Sequence, residues 1–92
     1  MQIKWLRKAL RNLEQAYNYT CEQLTPEAAS NLVIRIQSAT EQLSNYPMMG
    51  RPGRIEGTRE LVIPQSPYII IYRVRTNFVE ILRVLHGSQQ YP

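Results

Sequence analysis

The sequence predicts an α+β domain of order β-α-α-β-β-β, with a short N-terminal strand and an antiparallel helical hairpin packed on a small antiparallel β-sheet. Three observations predict it. Two apolar stripes recur at helical spacing before Pro47, strand-like runs follow Arg59, and Pro, Gly and Asn punctuate the joints between them. At 92 residues the chain is long enough for one domain, 1–92, with a thin core.

Ile3 and Trp5 share one side of an extended start. Leu6, Ala9, Leu10, Leu13, Ala16 and Tyr17 then recur at helical spacing, while Lys4, Arg7, Lys8 and Arg11 give this helix a basic beginning. Cations there oppose the helix dipole, which is mild support for an anionic partner. Thr25 and Pro26 form the start signal of a second helix, a side-chain cap followed by a residue with no N–H to satisfy. Its stripe is Ala29, Leu32, Val33, Ile36, Ala39, Leu43 and Tyr46, and Pro47 stops it. The connection "YTCEQLT" is short, so the helices fold back on each other. "RELVI", "YIIIYRV" and "FVEILRVLH" read as three strands joined by turns at "PQSP" and "RTN". A turn centred on Thr76-Asn77 pairs Val74 with Val79, Arg73 with Glu80 and Tyr72 with Ile81. It makes Arg73–Glu80 a cross-strand ion pair and sets Arg83 opposite Ile70, on the face of Tyr68 and Tyr72.

Charge and composition narrow the function classes. Eleven Lys and Arg against seven Glu give +4, and nine of the eleven are Arg, the side chain suited to bidentate contact with phosphate or carboxylate. The excess is +1 over residues 1–46 (five minus four) and +3 over 47–92 (six minus three). Cys21 is the lone cysteine, which excludes an internal disulfide. No apolar run approaches the roughly 20 residues of a membrane span. A cytoplasmic protein without membrane contact is expected. His86, Cys21 and scattered Glu offer no metal-ligand spacing, and the glycines of "GRPGRIEG" match no phosphate-cradling motif, so neither metal nor cofactor is expected.

The passage "MMGRPGRIEGTRELVI" carries Arg51, Arg54 and Arg59. By residue type alone it reads equally as solvated loop or as a surface for an anionic target. One metal-free chemistry stays open. RNA cleavage by its own 2′-hydroxyl needs a proton acceptor, a donor and cations. Imidazole is the side chain whose reference pKa lies near neutrality, which makes His86 the candidate proton carrier. Arg51, Arg54, Arg59 and Arg83 supply charge, and Tyr91 stacks or donates a proton. A strand-end histidine bonded to backbone is an equal reading of His86.

The blocks "GRPGRIEGTREL", "PYIIIYRV" and "VEILRVLHG", in that order after a strand and helical hairpin, resemble the RelE/ParE superfamily of bacterial toxins over essentially the whole chain. The resemblance implies a type II toxin–antitoxin system, with a cognate antitoxin that wraps the toxin. It also implies one of two targets: RelE-like members cleave mRNA in the ribosome, and ParE-like members poison DNA gyrase. Where RelE-like members tend to carry basic residues, this chain has Glu60, Val62 and Ile69, which places it nearer the ParE-like branch. The tail after His86 is short, so a gyrase contact made by a longer tail does not carry over. On this reading Arg51, Arg54, Arg59, Arg83 and His86 are expected to contact the target, and Leu10, Leu13 and Tyr17 to seat an acidic antitoxin segment. The alternatives are a ribosome-dependent endoribonuclease using His86, Arg83, Arg59 and Tyr91, and a degenerate toxin that retains only antitoxin binding.

Overall fold

The computed structural model describes residues 1–89. Strand β1 (Gln2–Trp5) leads into helices α1 (Arg7–Gln23) and α2 (Pro26–Gln42), and then strands β2 (Arg51–Pro52), β3 (Arg59–Val62), β4 (Tyr68–Val74) and β5 (Phe78–His86) follow. They form one sheet in the order β1-β5-β4-β3-β2. The expected α+β class and element order are present, with two additions. β1 runs parallel to β5, which makes the sheet mixed. Within the arginine passage, Arg51 and Pro52 pair antiparallel with Glu60 and Arg59. Part of that passage is therefore a hairpin arm instead of free loop.

Each helix end has its own explanation. At α2, Thr25 Oγ1 accepts from Ala28 N at 3.0 Å and Pro26 opens the first turn. At α1, Leu6 offers no side-chain cap. Here the chain is fixed from the sheet instead, since Leu6 N donates to Ile81 O at 3.0 Å. α1 continues through Gln23, because Thr20 extends its buried stripe, and this shortens the expected connection to Leu24-Thr25. That stripe is Ala9, Asn12, Ala16 and Thr20. It is offset from the leucines, and Leu10 remains half exposed. Small side chains at 9 and 16 let α1 approach the sheet closely.

The core lies between the helical hairpin and one sheet face. Ile36 and Leu43 meet Ile63, Ile70, Tyr72, Val79 and Ile81 there, all fully buried. The register Arg73–Glu80, Tyr72–Ile81 and Val74–Val79 is as expected. Beyond it the ladder slips. Ile81 faces Tyr72 and Arg83 faces Ile71, so Leu82 is the extra residue of a bulge and Arg83 lies opposite Ile71, not Ile70. The expected Arg73–Glu80 ion pair does not form either. Arg75, just past the strand end, takes the Glu80 carboxylate at 3.0 Å, while Arg73 Nε is buried without a hydrogen-bond partner among the described residues.

Candidate functional site: two clusters on opposite sides of β4

Glu60 organises the first cluster. Its side chain is 2% exposed and its Oε1 accepts from Arg51 Nε at 3.1 Å and from Arg51 Nη2 at 3.0 Å. Oε2 accepts from Arg54 N at 3.3 Å, with Arg54 Nε 3.5 Å away. Two guanidiniums against one carboxylate leave a single net positive charge, carried by side chains that remain about half exposed. Arg59, opposite Tyr72 in the ladder, donates from Nη1 to Gly50 O at 2.6 Å. The Tyr72 hydroxyl accepts from Gly50 N and donates to Pro47 O, both at 2.8 Å. A side chain at Gly50 would collide with that hydroxyl and with Glu60 O, each 2.7 Å from an added Cβ. Gly57, at φ +84°, takes the left-handed turn that closes the hairpin. The arginine passage is thus neither solvated loop nor loose cation cluster: a buried carboxylate and a tyrosine fix it.

The second cluster lies at the far end of β5. Asn12, polar on the buried stripe of α1, accepts through Oδ1 from Arg83 Nε at 2.8 Å and from Val84 N at 3.2 Å. β1 ends at Trp5, paired with Ile81, so Val84 has no strand partner on that edge, and Asn12 satisfies it. Three residues on, His86 Nδ1 accepts from Ser88 N at 3.1 Å and lies 2.7 Å from Ser88 Oγ. A backbone N–H can only donate, so the neutral ring carries its proton on Nε2. Tyr68 meets His86 edge to face, with centroids 5.4 Å apart and planes at 77°. Burial raises the Tyr68 and Tyr72 pKa values above the ordinary 10.0, although Thr20 and Gly50 respectively oppose the shift by hydrogen bonding.

The structure therefore joins Arg51 with Arg54, attaches Arg59 to the same loop through Gly50, and sets Arg83 and His86 apart, beyond β4. Tyr91 lies outside the described residues. Leu10, Leu13 and Tyr17 recur along α1 at i, i+3 and i+7, with Leu10 50% exposed. Sequence reasoning overlooked Asn12 and saw in Glu60 only a missing cation. The available signal was a polar side chain at the helical spacing of Ala9 and Ala16.

Residues 3–91 match the family described as "ParE toxin of type II toxin-antitoxin system, parDE". The chain belongs to the ParE toxin family. Among similar proteins, "Putative toxin Y4kP" of Sinorhizobium fredii is 48% identical over 91 residues, 99% of this chain and 93% of that protein. Toxin RelE2 of Caulobacter vibrioides is 32% identical over 88 residues, 96% and 97% of the two chains. A solved structure titled as the chromosomal ParDE system of P. aeruginosa superposes with TM-score 0.85 at 30% identity, covering 94% of this chain and 95% of that one. A chain of the RelBE2 toxin–antitoxin complex of Mycobacterium tuberculosis gives 0.60 at 26%, covering 92% and 95%. The expected membership of the RelE/ParE superfamily holds. For this ParE-family toxin, Glu60 adds a carboxylate that fixes arginines, where a RelE-like chain was expected to carry a cation.

Proposed function

We propose that this toxin is neutralised by a cognate antitoxin and arrests bacterial growth in the cytoplasm by binding DNA gyrase, without cutting RNA. The observation that carries the reading is Glu60. Its buried carboxylate is engaged by Arg51 and Arg54, and it stands with apolar Val62 and Ile69 where RNA scission would call for free cations to stabilise phosphate charge. The greater likeness to a ParDE structure than to RelBE2 supports the same branch. Arg51, Arg54, Arg59, Arg83 and His86 serve as target contacts. Leu10, Leu13 and Tyr17 seat the apolar side chains of an acidic antitoxin segment.

Two assays decide the target. Purified toxin at micromolar concentration inhibits gyrase supercoiling, and ribosomes programmed with mRNA show no codon-position-dependent cuts. Supercoiling that is unaffected sinks the gyrase reading. The ribonuclease reading draws on one observation, the His86 ring held through Nδ1 at the end of the strand that also carries Arg83. Cuts that vanish in His86→Ala with the fold intact would establish it. Induced expression without growth arrest would leave a degenerate toxin that binds only its antitoxin.

A further inference from the structure

A cavity of about 340 Å³ opens between α1 and the ends of β4 and β5. Asn12, Gln15 and Tyr19 line it from the helix, Tyr68 and His86 from the sheet, and Ser88 from the turn beyond. The volume lies at the low end for small-molecule sites, so it suits one planar ring system. Among the described residues, none that lines the cavity is a carboxylate, lysine or arginine. The walls are instead aromatic rings, side-chain amides and hydroxyls.

We propose that this cavity binds an unpaired nucleobase. The perpendicular Tyr68 and His86 rings form a corner in which a flat ligand stacks on the partly exposed His86 ring and abuts the buried Tyr68 at its base, as single-stranded bases do on protein aromatics. The half-exposed Tyr19 stands at the mouth. Asn12 Oδ1 is engaged by Arg83 and Val84, and its Nδ2 donates to Gln15 Oε1 at 3.5 Å. The exposed Gln15 amide, held in place by Asn12, is therefore the group that meets a base edge with a donor and an acceptor. Arg83 is outside the cavity lining, with its guanidinium bonded to Asn12 Oδ1 at 2.8 Å. The positive charge it places nearby favours a base carried on a phosphate backbone over a neutral sugar or peptide amide. The inference goes beyond the choice of gyrase or ribosome, because both targets are engaged with nucleic acid and either can present an unstacked base.

The test uses purified toxin, so it can fail while gyrase inhibition stands. Adenosine, guanosine, cytidine and uridine 5′-monophosphates are titrated against it, with tyrosine fluorescence and amide chemical shifts as readouts, beside ribose 5-phosphate as the base-free probe. At least one nucleotide gives a saturable response centred on Asn12, Gln15, His86 and Ser88, and ribose 5-phosphate gives none. Gln15→Ala and Tyr19→Ala, both at exposed positions, weaken binding by about fivefold or more, whereas Tyr46→Ala leaves it unchanged. The proposal is overturned if no nucleotide saturates. It is equally overturned if ribose 5-phosphate matches the nucleotides, or if both cavity variants bind like the parent with native circular dichroism.

Discussion

Tyr72 and Glu60 hold the arginine loop from different sides, and each supports a prediction. Tyr72→Phe leaves Gly50 N without an acceptor and Pro47 O without a donor. The expected loss is about 1–3 kcal/mol in urea unfolding. The same phenol gives a pH dependence. Burial raises the folded pKa values of Tyr68 and Tyr72 above 10.0, so the folded chain keeps protons that the unfolded chain releases. This contribution is intact below pH 10.0 and is lost as pH climbs through the raised folded values. Denaturation midpoints should therefore fall above that point, less steeply in Tyr72→Phe. An unchanged alkaline slope in the variant would refute the assignment. Glu60→Gln removes the carboxylate that Arg51 and Arg54 share, but those guanidiniums still reach water. The cost is therefore set near that of charged hydrogen bonds, about 1.5–3 kcal/mol, and not at the higher cost of stranding a buried charge. Equilibrium unfolding of the variant measures it.

Among the elements, the helices show how much a local signal can carry. Thr25 and Pro26 start α2 where the sequence marks them, because a cap acts through neighbouring residues alone. Thr25→Ala should cost about 1 kcal/mol of stability, and a change under a few tenths in the urea midpoint analysis would show that the cap is idle. α1 lacks such a signal. Its start is fixed by Leu6 bonding to β5, a contact 75 residues along the chain (81 minus 6). The bulge at Leu82 is a similar case: nothing local in "EILRV" announces the slip that sets Arg83 opposite Ile71 and gives Val84 the core position opposite Ile70. Arg75 replaces Arg73 on Glu80 because a strand-end side chain can swing to a partner.

For the whole molecule, the charge of +4 bears on the partner. Antitoxin affinity should fall about tenfold or more between about 0.05 and 0.5 M salt, where screening shortens to a few ångströms. Salt-independent binding would remove the electrostatic part of the proposal. Leu10, half exposed on α1, separates docking from folding. Leu10→Glu should leave stability within about 0.5 kcal/mol yet weaken antitoxin capture in a titration, and an unchanged affinity would move the docking surface elsewhere.

The apolar periods of 3.6 and 2, the cap at Thr25 and the turn residues at Thr76-Asn77 determined class, element order and most of the β4–β5 register. All of these are interactions between near neighbours or alternations along one segment, and so they are written in consecutive residues. What the arginines do was decided only by tertiary structure. Glu60 became their anchor when a two-residue arm paired back on β3, and Asn12 met Arg83 across 71 residues. A side chain's partner depends on which distant backbone brings it within about 3 Å, and no spacing along the chain encodes that distance.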